Sequence, residues 1–120
     1  MKVTNGEVRL MKDALEKLIA IRTSAKMAFQ IAKLTNQVNQ HFQVMEIARS
    51  GLVKQYGTER ADGNIQIDES AKESKEEFWA EFVKLLNEEV DIEVESIELP
   101  ETLEVEPSTL MPLMRFIEVK

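Results

Sequence analysis

Apolar residues recur along the first half of the chain at spacings of three and four, the signature of helices that bury one face. Thr4-Asn5-Gly6-Glu7 opens the first of them: Thr4 can cap free amides, and Glu7, three residues on, can reach back to the Thr4 amide. Val8, Met11, Leu15 and Leu18 follow in phase, with Ile19 widening the stripe, so the pattern predicts a helix of about four turns ending near Ile21 or Arg22. Thr23 or Ser24 then caps a much longer helix. Met27, Ile31, Leu34, Val38, His41, Met45, Ala48 and Leu52 alternate steps of four and three over roughly four heptads, with no proline among them. Phe42, Val53 and Tyr56 broaden this seam. Continuous to Tyr56, the helix would be about 50 Å long. Gly51 is the position at which it would break, and Gly57 is expected to end it as a left-handed cap.

The second half is more varied. Ala61-Asp62-Gly63-Asn64 is turn chemistry, and Ile65-Gln66-Ile67 alternates like a short strand. Asp68 or Ser70 is expected to cap a third helix, because Ser70 and Glu73 repeat the capping-box spacing. Phe78, Phe82 and Leu85 form its apolar stripe, flanked by Trp79 and Leu86, while Glu76, Glu77 and Glu81 face away; the helix runs to about Glu88. The period then changes to two. Val90, Ile92 and Val94 alternate with Asp91, Glu93 and Glu95, and the phase slips at Ser96 before Ile97 and Leu99, which predicts a strand with a bulge or bend. Pro100 stops it, and Leu103 and Val105 belong to an extended link. Pro107-Ser108 opens a last short helix over 109–117, with Leu110, Leu113, Met114 and Ile117 apolar and Pro112 in its first turn.

These elements predict an α+β fold, mainly α, in a single domain over residues 1–120. A helical hairpin with one long helix occupies 1–56, a turn and short strand 57–69, and a third packed helix 70–89. An acidic strand and link follow over 90–106, then a short C-terminal helix over 107–118. Segments 64–67 and 90–99 are expected to form a small antiparallel β element at one end. Met27, Ile31, Leu34, Val38, Phe42, Met45, Phe78, Phe82 and Leu85 are expected to be buried, within the chain or across an oligomer interface.

Charge divides the chain. Residues 1–60 hold ten Lys/Arg against five Asp/Glu, a balance of +5, whereas residues 61–120 hold five against seventeen, a balance of −12. Either the folded molecule is strongly dipolar, or the halves fold together and partly neutralise. The absence of cysteine removes disulfides and thiolate chemistry and suits a reducing compartment. The first residues lack the apolar core of a signal peptide and no apolar run is long enough to span a membrane, so a cytoplasmic location without membrane contact is expected.

Candidate chemistry is sparse. His41 is the single histidine, and its neighbours Gln37, Gln40 and Gln43 are amides rather than acids, so it reads as a seam residue that fixes helix register. Asp62-Gly63-Asn64 with Asp68 and Glu69 has the wrong spacing for a calcium loop and reads as a connecting turn. The glycines are scattered, no catalytic motif is present, and no pair of carboxylates stands out as an acid–base couple. No metal, cofactor or catalytic residue is therefore expected. A sequence pI of about 4.8 disfavours direct nucleic-acid binding. Glu93, Glu95, Glu98, Glu101, Glu104 and Glu106 make a quasi-regular acidic segment that could imitate a phosphate backbone, or could simply be the wet face of an edge strand.

One resemblance adds to this. Lys2-Val3-Thr4-Asn5-Gly6-Glu7, Ala14-Leu15-Glu16-Lys17-Leu18 and Ala32-Lys33-Leu34 are followed by Leu52-Val53-Lys54-Gln55-Tyr56-Gly57, Asp62-Gly63-Asn64 and Leu85-Leu86-Asn87-Glu88-Glu89-Val90. In that order they resemble a family of small bacteriophage and prophage proteins carried as a domain of unknown function. The resemblance covers most of the chain, its motifs are structural, and it assigns no role to any residue. It implies a phage product in the cytoplasm of a bacterial host, or associated with the virion. The leading expectation is a non-enzymatic assembly protein. It would self-associate as a homo-oligomer or bind a phage structural protein or host protein, through a seam of Met27, Ile31, Leu34, Val38, His41, Met45 and Leu52. The alternative is an inhibitor of a host nucleic-acid enzyme or defence factor that acts through the acidic segment 91–106.

Overall fold

The computed structural model describes residues 1–59, 63–68 and 70–119. Its architecture is α+β and mainly α, with a long second helix, a packed third helix and small two-stranded sheets. The chain begins with β1 (Lys2–Thr4) and enters α1 (Asn5–Leu18) through the expected capping box. The Glu7 amide donates to Thr4 Oγ1, and the Thr4 amide donates to Glu7 Oε1, both at 3.1 Å. Asn5 is buried and joins α1 to a distant element: its amide donates to the Glu88 carbonyl and its side-chain Nδ2 to the Leu85 carbonyl, each at 2.9 Å. α1 ends at Leu18, a turn earlier than the apolar spacing suggests, because the chain must reverse before Ser24 caps α2 (Ala25–Tyr56).

α2 has 32 residues and passes through Gly51 without a break. At about 1.5 Å per residue it is about 48 Å long, and it sets the longest dimension of the molecule, 52 × 29 × 22 Å. The radius of gyration, 17.8 Å, exceeds the roughly 14 Å of a compact domain of this length, so the helix dictates an elongated shape. Met27, Ile31, Leu34, Val38 and Met45 point inward and are almost fully buried, whereas Phe42 is half-buried.

The helix does not end at a left-handed cap. Gly57 has φ −87° and ψ 167°, an extended conformation leading directly into β2 (Thr58–Glu59). Glycine is needed there for space: a Cβ would run into the Val53 carbonyl oxygen and lie 2.7 Å from Ile65 Cγ2. Ile65 belongs to β3 (Ile65–Gln66), which pairs antiparallel with β2. Of the turn expected over 61–64, Gly63 at φ +87° carries the left-handed geometry; Ala61, Asp62 and the calcium-loop position Glu69 lie outside the described residues.

α3 (Lys72–Asn87) starts two residues beyond the expected cap. Ala71 is its N-cap without a side-chain hydrogen bond, and Asp68 Oδ1 instead accepts from the Ser70 amide and hydroxyl, closing a turn before the helix. Phe78 and Phe82 are buried and stacked at 5.7 Å with an interplanar angle of 11°, while Leu85 is only half-buried. Phe78 and Phe82, like Met45 of α2, are buried but stand outside the main core cluster.

The β structure departs most from expectation. β3 does not meet the acidic strand. β4 (Glu89–Asp91) pairs antiparallel with β1, in register Val3 to Val90. The phase slip at Ser96 is not a bulge within one strand: residues 92–96 leave the first sheet, and β5 (Ile97–Leu99) enters another. Both registers serve the core, since Ile92, Ile97 and Leu99 are all buried. The C-terminal helix is also shorter than expected. α4 (Pro107–Leu110) passes into a 3-10 helix (Met111–Phe116) that carries Pro112, and the chain finishes as β6 (Ile117–Val119), parallel to β5. Pro112 lacks the amide that an α-helix would use, and Ile117-Glu118-Val119 has the alternation of a strand.

The two glycines at the C-terminal end of α2, Gly51 inside it and Gly57 just after it, give opposite expectations. Gly57→Ala should destabilise the fold by about 1–3 kcal/mol through the clash, whereas Gly51→Ala, where a Cβ meets nothing within 4 Å, should stabilise it by about 0.5–1 kcal/mol. Urea unfolding of the dilute protein measures both.

Candidate functional site

A 32-residue helix has more surface than one seam can use, and the sides of α2 have different fates. The inward seam is interior packing. Met27, Ile31, Leu34, Val38 and Met45 are covered by the chain itself, His41 and Leu52 are half-buried, and Ala48 is exposed. The seam residues proposed as an interaction surface are therefore mostly closed to another molecule.

One flank of α2 carries a polar strip that the sequence reading missed. The Glu98 amide donates to Gln30 Oε1 at 3.1 Å, and the Glu93 amide donates to Gln37 Oε1 at 2.9 Å. Gln37 Nε2 returns a bond to the Glu93 carbonyl at 2.6 Å, and His41 Nε2 lies 3.0 Å from the Asp91 carbonyl. Because a carbonyl can only accept, that contact requires the Nε2-protonated form of His41. Helical spacing places residues 30, 37 and 41 on one side of α2, where they hold the backbone of 91–98 much as a neighbouring strand would. His41 thus positions a chain segment, with a backbone carbonyl as its partner.

The acidic segment is not a continuous row. Glu93 and Glu95 lie on irregular chain, Glu98 on β5, Glu101 in a turn, and Glu104 and Glu106 on the link. All are exposed except Glu98, which is half-buried and 3.4 Å from Lys26 Nζ. The basic and acidic halves are in contact here, as partial neutralisation requires.

On the other flank, Thr35, Asn39, Phe42 and Gln43 face Lys12, Leu15, Glu16 and Ile19 of α1 across an open groove of about 430 Å³. Lys12 Nζ bonds Glu16 Oε1 at 2.6 Å and sits 4.8 Å from the Phe42 ring centroid. The hydrogen bond that Lys12 donates to Glu16 raises the Lys12 pKa, against the opposing effect of desolvation, and the charges of Glu16, Asp13 and Glu46 raise it further. A larger cleft of about 670 Å³ lies at the start of α2, lined by Arg22, Lys26, Met27, Glu98 and Leu103 among others. Its Lys26 is already paired with Glu98.

The face opposite the seam has the most unusual composition. Phe29, Lys33, Asn36, Gln40, Gln43, Ile47, Ser50 and Lys54 repeat at steps of four and three, and every one is exposed. Phe29 is 62% exposed and Ile47 74%, and beside them Val44 is 67% exposed. From residue 34 to residue 45 there is no Asp, Glu, Lys or Arg, in a chain that is 31% charged. A solvated helix face ordinarily carries charge, so the outer face stands out over this stretch, where it presents the amides Asn36, Gln40 and Gln43 between Lys33 and Ile47. The signal was legible as a gap in the charge pattern, but the stronger apolar seam concealed it.

Among the described residues no helix is long and apolar enough to cross a membrane. Replacing Gln37 with Ala should cost about 1–2 kcal/mol for its hydrogen bonds and should accelerate hydrogen exchange at the Glu93 amide, read by NMR, before any change at buried α1 amides. Set against family models, curated proteins and solved structures, the chain matches none of them.

Proposed function

We propose that this chain is a non-catalytic protein-binding module that docks through the outward face of α2, in keeping with an assembly role for a bacteriophage product in its host's cytoplasm. One observation carries the reading: the exposed outer face of α2, where Phe29 and Ile47 flank the amides Asn36, Gln40 and Gln43 and Lys33 is the single charge between them, on a helix whose seam side is mostly occupied by folding. Exposed apolar residues scattered singly need no explanation, but Phe29 and Ile47 share one helix face with a run of amides and little charge, a surface that a partner helix can cover. The partner is expected to be another protein, and the amide groups of Asn36, Gln40 and Gln43 would give the contact its register. The assignment of His41 to the Asp91 carbonyl also supports a binding role, because it leaves that ring engaged in structure.

A second reading rests on the acidic segment. Its backbone is fixed by Gln30, Gln37 and His41, so Glu93 and Glu95 are presented outward without help from their own charges. A basic groove on a host nucleic-acid enzyme is the surface such a segment would fit.

The two readings separate by mutation and by salt. Ile47→Glu should abolish partner capture under the first reading, with far-ultraviolet circular dichroism and melting unchanged because the residue is exposed. Glu93→Gln with Glu95→Gln should leave capture intact. Binding through the amides and apolar residues of the outer face should also largely hold as salt rises, whereas binding through the carboxylates should fall as charge is screened. Capture that is lost with the glutamines and insensitive to Ile47→Glu would transfer the function to the acidic segment.

A further inference from the structure

The six methionines of the chain divide by burial. Met11, Met27 and Met45 are almost fully buried and serve as packing, whereas Met111 and Met114 are each 67% exposed. We propose that Met111 and Met114 together form a reversible oxidation site, which peroxide converts to methionine sulfoxide without disturbing the fold.

The 3-10 helix makes them a pair. Side chains three residues apart eclipse one another in that geometry, so the segment Met111–Phe116 sorts its residues by side. Leu113 and Phe116, three apart, are buried and belong to the main core cluster. Met111 and Met114, also three apart, stand on another side, where they line a small cleft of about 210 Å³ together with Glu7, Leu10, Pro112 and Arg115. Leu10 is exposed as well, so the two thioethers extend an accessible apolar edge of α1. The attachments that hold this helix use no sulfur: Leu113 and Phe116 pack inward, and Arg115 Nη1 lies 3.0 Å from Glu7 Oε2. Oxidation of the pair therefore leaves each of them in place.

The chemistry needs only the oxidant. A sulfur lone pair attacks one oxygen of hydrogen peroxide, an S–O bond forms and the O–O bond breaks. The proton on the transferred oxygen passes to the departing hydroxide, which leaves as water; sulfur loses two electrons and the peroxide gains them. The chain has no cysteine, so no thiol of its own competes for the peroxide. The product replaces a flexible apolar side chain with a polar one, and methionine sulfoxide reductases reverse it, one enzyme for each epimer. The edge formed by Leu10, Met111 and Met114 thus changes from apolar to polar and back while the core is untouched.

The test treats the full chain with dilute hydrogen peroxide over a time course, read residue by residue by tandem mass spectrometry. Met111 and Met114 should reach sulfoxide at least about tenfold faster than Met11, Met27 and Met45, with Met1, 56% exposed, as the accessible reference. The oxidised protein should keep its circular dichroism and melting temperature, elute earlier from a hydrophobic-interaction column, and return to its first position after treatment with both reductases. Met111→Leu combined with Met114→Leu, which keeps the edge apolar, should lose most of that shift. Rates at Met111 and Met114 no faster than at the three buried methionines would overturn the site. A melting transition lost as the pair oxidises would overturn its tolerance by the fold, and an undiminished elution shift in the double variant would overturn the pair in favour of Met1.

Discussion

Covering the apolar seam of α2 is the constraint from which the rest of the structure follows. A helix of 32 residues in a chain of 120 cannot be buried by any single neighbour. Its first half is covered by α1 on one side and by Ile92, Ile97 and Leu99 on the other, with Leu113 and Phe116 completing the main cluster. Its second half is covered by Phe78 and Phe82 of α3, beyond the reach of α1, whose 14 residues extend only about 21 Å. That succession explains why the core has a main body and an aromatic satellite. It also explains why Asn5 matters. Its hydrogen bonds to the 85 and 88 carbonyls tie the element that covers the first half to the one that covers the second.

The same constraint accounts for the modest β structure. Each sheet among the described residues has two strands of two or three residues, too little to be stable alone. The acidic stretch between β4 and β5 is held on α2 by side chains instead, with Gln30, Gln37 and His41 supplying the donors and acceptors a third strand would have given. Neutral partners suit this position. They bind backbone, so the carboxylates along 93–106 are not needed to secure the chain. Glu98 alone among them has a cation, Lys26, within ion-pair distance in the contacts described.

What could be read from the residues depended on how local the signal was. The Thr4–Glu7 box, the Ser24 cap and the uninterrupted seam are set by neighbours three or four apart, and all three are present. Strand partners are set by three-dimensional packing: nothing near Lys2-Val3-Thr4 announces that it pairs with Glu89–Asp91, or that Ile117–Val119 will lie parallel to Ile97–Leu99. Gly57 was recognised as special for the wrong reason, since crowding by Val53 and Ile65 selects it rather than a positive φ. His41 was placed correctly on α2, but its partner is a carbonyl fifty residues away. The outer face is legible in the sequence only as a gap in charge from residue 34 to residue 45, a weaker signal than the apolar period of the seam.

That absence is the feature folding does not account for. Exposed helix faces tolerate lysine and glutamate readily, and pairs four apart add a few tenths of a kcal/mol; α1 uses Lys12 with Glu16 in this way. α2 forgoes such pairs from residue 34 to residue 45 and places Phe29, Val44 and Ile47 in water. Its stability comes from the seam, so the outer face is released from any duty to the fold. The seam from Met27 to Met45 and the outer positions from Phe29 to Ile47 follow the same repeat on opposite sides of one uninterrupted stretch of helix. Folding occupies the first side, and nothing in the fold asks Phe29, Val44 and Ile47 to stand exposed on or beside the second.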